Sequence, residues 1–296
     1  MADRHPAWPS GLILPLAALT GAMAAFQGGA ALAKGLFPAV GPEGAAALRI
    51  GLGALMLLVL GRPWRAWPGR ASALPLLGLG VSVAGVILFF YQAMARLPLG
   101  VAISLQFLGP LSVAVLGSRR WGDLAWAAMA AAGVWLLVGR SGLSGDLDPV
   151  GVGFGLCAGA CWAVYILVGR RVSGSYGVAA ASLSVAIAAV VVLPVGLARA
   201  GSGLFDPAIL PYALAVALLS TAVPFALEFF AMPRMPAQTF AVFTSLEPAF
   251  GVLAGLVLLR EQLSPGQITG VGLVVGAAAA SSWSSAAREP VEASPD

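Results

Sequence analysis

The sequence predicts an all-α integral membrane protein of ten transmembrane helices, arranged as two inverted five-helix repeats. Three observations carry that expectation. First, 59% of the 296 residues are hydrophobic and only 9% are charged, whereas a soluble domain carries about 25% charged residues; mean hydropathy is +0.94. Second, Ala93-Met94-Ala95-Arg96-Leu97-Pro98, with Pro110 twelve positions on, recurs as Ala231-Met232-Pro233-Arg234-Met235-Pro236, with Pro248 twelve positions on. The same offset of 138 pairs Gly117 with Gly255 and Asp123 with Glu261. Third, five apolar runs fall in each copy, and an odd number of spans brings the two copies into the membrane from opposite sides. Duplicated halves of this kind mark many transporters.

A helix needs about 20 apolar residues to cross the ~30 Å hydrocarbon layer. The first such run, 11–33, closes at Lys34, and the second, 42–60, closes at a loop holding Arg62, Arg65 and Arg70. Runs 73–95 and 98–118 are parted at Arg96, and 122–139 follows Arg119-Arg120. A Gly-, Ser- and Asp-rich stretch, 141–148, then reads as the linker between halves. Beyond it, 149–169 closes at Arg170-Arg171, 178–198 at Arg199, 209–232 just before Arg234, 236–259 at Arg260, and 265–284 is the last. The repeats are therefore 11–140 and 149–287, and the polar tail 288–296 is expected to be disordered and cytoplasmic. A cleaved signal peptide is the other reading of the first run, since Ala31-Leu32-Ala33 resembles a cleavage site. The run is too long for that, and it has a partner in the second half: Phe26 with Lys34 matches Trp162 with Arg170, eight residues apart each time.

Basic residues set orientation, because short cytoplasmic loops retain Lys and Arg. With the amino terminus inside, the inner side collects Arg4, Arg62, Arg65, Arg70, Arg119, Arg120, Arg170, Arg171, Arg234 and Arg288. The outer side holds only Lys34, Arg96, Arg140, Arg199 and Arg260. Both termini are thus expected in the cytoplasm. The pI near 9.6 is not a nucleic-acid signature, because no basic cluster alternates with aromatics. Cys157 and Cys161 lie one helical turn apart in an apolar run, where disulfide geometry is poor; they read as small packing residues.

Glu247 lies about eleven residues past Pro236, roughly 16 Å along a helix and near the midplane. An acid at that depth faces a cavity, pairs, or binds protons. Pro248 follows it, and a proline within a helix frees carbonyls on the preceding turn. The equivalent place in the first copy is Gly109-Pro110, so a break is expected in both copies while the acid stands in one. Glu228 is a second acid within a span, close enough to the cytoplasmic loop for either a functional role or contact with water. Arg49, some seven residues into the second span, has two roles open to it: a bridge to Glu247, or bidentate receipt of a substrate carboxylate. Gln27, Tyr91, Gln92, Ser104, Gln106, Thr239 and Thr244 add uncharged donors and acceptors, each explicable by one interhelical hydrogen bond. Lys34, at a membrane edge, reads as an interfacial anchor or a substrate group. Gly151, Gly155 and Gly159 make one small face suited to close helix packing, and Trp8, Trp64, Trp67 and Trp121 sit at span ends as interface anchors.

No phosphate-binding loop and no H-E-x-x-H pair occurs, and the single histidine is His5. No nucleophile stands beside a base in a recognisable spacing. An enzyme is not expected, nor a metal or other cofactor. A non-transporting scaffold or receptor and an exporter of amphipathic or cationic drugs stand as alternatives to metabolite transport; the assembly is a monomer or a homodimer.

At these residues the chain resembles the drug/metabolite transporter superfamily in its ten-helix, EamA-type branch, and within it the bacterial exporters of threonine and homoserine. The resemblance runs through Gln27-Gly28-Gly29-Ala30, Leu32-Ala33-Lys34, Ala47-Leu48-Arg49, Pro98-Leu99-Gly100, Gly109-Pro110-Leu111 and Ser118-Arg119-Arg120. It continues in Gly159-Ala160-Cys161-Trp162-Ala163, Leu219-Ser220-Thr221-Ala222, Leu227-Glu228 and Glu247-Pro248-Ala249. It implies an inner-membrane exporter of small neutral amino acids, working by alternating access and coupled to protons. In those exporters an acid precedes the Phe of the fourth span, whereas here Gln106 precedes Phe107. The resemblance then implies that a coupling proton falls to Glu247 or Glu228, or that coupling differs.

Overall fold

The computed structural model describes residues 12–65, 73–116, 121–138, 147–235 and 237–286. Most of the linker, the tail 288–296, Trp8, Trp67, Arg70, Arg119, Arg120 and Pro236 lie outside them. Every regular element among the described residues is helical: α1 Ile13–Lys34, α2 Phe37–Gly61, α3 Ala73–Met94, α4 Leu99–Leu116, α5 Trp121–Val138 and α6 Pro149–Ala200. Then come α7 Leu210–Ala217, α8 Val223–Ala231, α9 Ala237–Thr244, α10 Glu247–Leu258 and α11 Pro265–Ala286. Six segments are long and apolar enough to cross a membrane: Ile13–Lys34, Phe37–Arg65, Ala73–Met94, Pro149–Gly169, Ala181–Phe205 and Leu210–Glu228. Shorter apolar helices stand beside them, among them Leu99–Val113, Leu124–Leu137 and Glu247–Leu258. Large apolar side chains also cover the outside, including Leu55, Val59, Leu74, Trp135, Val190 and Val257. A helix apolar all round belongs in a core or a bilayer.

The backbone of α6 is helical from Pro149 to Ala200, yet the segment folds back on itself. On a straight helix Val168 and Ile187 would stand roughly 28 Å apart. Both instead meet α3, Val168 at Gly78 and Ile187 at Gly80, and both pack on Leu76 and Leu79. The two limbs therefore lie side by side against α3, as the separate runs 149–169 and 178–198 require. The first limb presents its small face to α4: Gly155 meets Leu105, and Gly159 meets the Gln106 carbonyl. Lipid supplies no hydrophobic drive between helices, so close approach at small residues carries their association. A Cβ on Gly109 would strike the Gly159 carbonyl, and one on Gly133 would come within 2.7 Å of the Gly270 carbonyl.

The breaks are not those of a symmetric pair. The run 236–259 is two helices, α9 and α10, parted by a turn at Ser245 and Leu246, and Pro248 stands in the first turn of α10. A missing N–H costs nothing there. Pro110, by contrast, lies inside an unbroken α4, with the Gly109 carbonyl accepting from Ser112 Oγ at 2.7 Å. Gly109 serves close packing against α6. A break absent from the sequence reading occurs at Gly41, whose φ of 69° and ψ of 174° kink α2 just before Pro42. A π-helical turn, Leu218–Ala222, joins α7 to α8.

One end of the bundle is tied by ion pairs. Lys34 Nζ reaches Glu261 Oε1 at 2.7 Å, and Glu261 Oε2 accepts from the Leu99 backbone N–H at 2.8 Å. Arg96 and Asp148 approach to 3.5 Å, and Arg199 and Glu43 to 3.8 Å. Lys34 is thereby committed to a partner at the rim.

Candidate functional site

A cavity of about 240 Å³ opens among α1, α2, α3, α4, α6, α8 and α10, with Arg49, Gln106, Trp162, Ser220, Glu228 and Glu247 on its wall. A smaller hollow of about 40 Å³ adjoins it and adds Gln27 and Phe107. The cavity runs from the level of Gln27, about 10 Å below Lys34 along α1, toward the opposite end, where Glu228 lies one turn from the end of α8. A larger hollow of about 730 Å³ among α4, α5 and α6 is lined by Leu, Val, Ala and Trp apart from Ser112. It holds no titratable group, so it offers acyl chains a groove and a charged solute nothing.

Arg49 is brought to the wall by the second half of α2 and is only 5% exposed. Its Nη2 donates to the Ser220 carbonyl at 3.2 Å and its Nη1 makes a long contact of 3.5 Å with the Tyr91 hydroxyl. The guanidinium carbon stands 4.9 Å from the centre of the Phe26 ring and 5.7 Å from that of Tyr91, cation–π contacts that hold its plane. None of the three ion pairs among the described residues includes it. Of its two expected roles, the direct bridge to Glu247 is not made, and its Nε is buried without a hydrogen-bond partner.

Glu247 starts α10 immediately after the turn, so the helix break sets its carboxyl on the cavity wall. Its Oε1 accepts from Gln27 Nε2 at 2.9 Å. Gln27 Oε1 and Gln106 Oε1 are buried without partners. An unsatisfied buried polar atom costs about 1–3 kcal/mol, and native structures keep few of them. All three such side-chain atoms among the described residues, on Arg49, Gln27 and Gln106, belong to residues lining the cavity or its annex. That clustering marks a place for a ligand rich in charge.

The remaining expected residues divide. Glu228 lines the same cavity as Arg49 and Glu247. Tyr91 is fully buried behind Arg49. Thr244 and Pro110 line a second hollow, of about 240 Å³, on the other side of Trp162. Gln92 Oε1 accepts from Arg96 at 2.6 Å, away from the cavity. Sequence reasoning missed Phe26, Trp162, Ser220 and Thr221 as wall residues. The matched spacing of Phe26 with Lys34 and Trp162 with Arg170 was the available signal for the first two.

A family model described as the EamA-like transporter family matches residues 149–283. The threonine/homoserine exporter RhtA of Escherichia coli (strain K12) is 42% identical over 274 residues, covering 93% of this chain and 91% of the relative. The chain belongs to the EamA-like transporter family. Within the drug/metabolite transporter superfamily it is RhtA-like, and a multi-pass membrane protein. The threonine/homoserine exporter RhtA of Salmonella typhimurium (strain LT2) is 41% identical over 285 residues, covering 96% of this chain and 95% of the relative. A solved crystal structure, 22% identical, aligns over 95% of this chain and 99% of its own with a TM-score of 0.58, which shows a shared fold.

Proposed function

We propose that this chain exports small neutral amino acids, threonine and homoserine first, across the bacterial inner membrane in exchange for protons. The observation that carries the reading is the buried, unpaired Nε of Arg49 on the wall of one cavity with Glu247 and Glu228. A zwitterion leaving water needs both charges answered. Arg49 takes the carboxylate, with Nε and a terminal nitrogen forming the fork that guanidinium offers to a planar anion. Glu247 takes the ammonium, with the carbonyl oxygens of Gln106 and Gln27 as further acceptors. The cavity volume of about 240 Å³ lies below the ~300–1,000 Å³ of pockets for drug-sized ligands, which favours an amino acid over a larger amphipathic compound.

Transport follows from two inverted five-helix halves rocking about this site, with both termini cytoplasmic. Outside the turn at Ser245 and Leu246 the interiors of the ten runs are helical among the described residues, and the family match covers 149–283, most of the range 149–287 read as the second repeat; both support the arrangement. The ion pairs at the Lys34 end and the cavity's extent toward Glu228 support assigning this conformation to the inward-facing side of the cycle. Substrate and proton compete for Glu247, and an unoccupied charged carboxylate resists crossing. That competition suffices for coupling.

The test is flux in proteoliposomes. Counterflow of labelled threonine and homoserine is expected, with competition by other small neutral amino acids. Glu247→Gln should abolish efflux driven by a pH gradient, and the threonine–threonine exchange that remains should be weaker and insensitive to pH. Unchanged gradient-driven efflux in that variant rejects the coupling role, and no amino-acid flux in the unaltered protein rejects the substrate.

A further inference from the structure

Glu247 stands on two compartments. Besides the cavity shared with Arg49, it lines the second hollow of about 240 Å³, whose other polar walls are Thr244 and Ser245 of the α9–α10 break and Ser281 of α11. Between the compartments Phe107 and Trp162 meet edge to face, 4.9 Å between centroids and 79° between planes. Trp162 lines both compartments, and Phe107 lines the second and the annex of the first. The pair is a partition, with the carboxyl of Glu247 at its edge.

The two sides differ in charge. Among the described residues, the titratable groups that share a cavity wall with Glu247 all stand on the first side of the partition: Arg49 from α2, Glu228 from α8 and Tyr165 from α6. The second compartment contributes hydroxyls and no charge other than Glu247 itself. A zwitterion has no cation for its carboxylate there, which disfavours substrate in that compartment. Water needs no counter-charge, and a proton moving through it has the carboxylate of Glu247 as its own. A hydroxyl has one donor and two acceptor sites, so one partner within the protein still leaves it able to bind water. The space is large compared with the ~10–15 Å³ of probe volume that one water requires, and it offers the several polar partners a buried water needs.

We propose that the second compartment is the proton route of the transporter, and that protons and amino acid reach Glu247 from opposite faces of the Phe107–Trp162 partition. This rests on the reading of Glu247 as the coupling acid. In the inward-facing step, protonated Glu247 gives its proton to water in the Ser281 compartment, and the proton leaves as hydronium through that water. The carboxylate that remains accepts the substrate ammonium across the first cavity. One proton leaves as one zwitterion binds, and neither has to pass the other. Ser281, Ser245 and Thr244 hold the water; Phe107 and Trp162 keep the substrate from following.

The experiment compares two fluxes in proteoliposomes. Ala278→Leu puts three further carbons into the compartment wall, and Ser281→Val replaces its hydroxyl with two methyl groups. Each should lower pH-gradient-driven threonine efflux by about tenfold or more, while threonine–threonine exchange, which cycles the already ionised Glu247 and needs no proton release per turnover, stays within about twofold. Because a filled variant can fail to fold, Ser281→Cys is made in a Cys157→Ala, Cys161→Ala background and treated, after exchange activity is established, with a small methylthiolating reagent. Modification should remove gradient-driven efflux and leave exchange. Equal loss of both fluxes on modification, no loss of either, or a thiol that does not react overturns the proposal. If the unaltered protein shows no threonine exchange, or its efflux ignores the gradient, the underlying reading fails instead, and the two failures are distinguished within one set of vesicles.

Discussion

Replacing Arg49 by lysine keeps the charge and removes the fork. In the structure one terminal nitrogen is held by the Ser220 carbonyl at 3.2 Å and the other lies 3.5 Å from the Tyr91 hydroxyl, while Nε has no partner. A substrate carboxylate bridging Nε and a terminal nitrogen receives two parallel charge-assisted bonds, and an ammonium replaces them with a single point contact. One such bond is worth about 1.5–3 kcal/mol, so Arg49→Lys should weaken threonine binding by roughly 10- to 150-fold at 1.4 kcal/mol per factor of ten. Arg49→Gln should weaken it further, because the carboxylate then enters an apolar wall with no cation. The assay is inhibition of counterflow by unlabelled threonine, run beside its amino alcohol, in which CH2OH replaces the carboxylate. The amino alcohol lacks the group Arg49 holds, so its weaker inhibition should not change. Threonine affinity within about twofold of the unaltered protein in Arg49→Lys, or an equal loss for acid and alcohol, refutes the assignment.

Three structural predictions follow from the packing. Gly109→Ala drives a Cβ into the Gly159 carbonyl and should cost about 1–3 kcal/mol, seen as earlier thermal unfolding in detergent. Gly153→Ala, with nothing within 4 Å, should be neutral or gain up to ~1 kcal/mol in helix propensity; similar losses in both variants would remove close packing as the cause. Gly41→Ala forces a side chain to φ 69° and ψ 174°, a conformation costing about 1–3 kcal/mol, and should lower the same midpoint. Glu261→Ala leaves the Leu99 N–H without its acceptor and the Lys34 ammonium with only the Leu97 carbonyl at 3.4 Å, whereas Glu261→Gln retains a carbonyl for one of them. The alanine variant should therefore be the less stable by about 1–3 kcal/mol, and equal midpoints would show that the latch contributes nothing.

What was legible in the sequence was local. Apolar runs of spanning length had to become helices, because lipid offers a backbone N–H or C=O no partner outside its own segment. The depth of Glu247 and the break at Pro248 came from counting along one segment, and the structure puts a helix start at that place. Counting along a segment failed where packing decides. Pro110 holds the equivalent repeat position, yet α4 runs through it unbroken, pressed against α6 at Gly109 and Gly159. Nor does Arg49 meet Glu247 directly; it is held by a carbonyl 171 residues away on a π-helical turn and by the ring of Phe26 on another helix. Composition and periodicity determined that the chain is helical, membrane-embedded and furnished with one deep acid and one deep cation. Only the tertiary structure decided that the two line one cavity without pairing, because that depends on how closely small residues on distant segments let their helices approach.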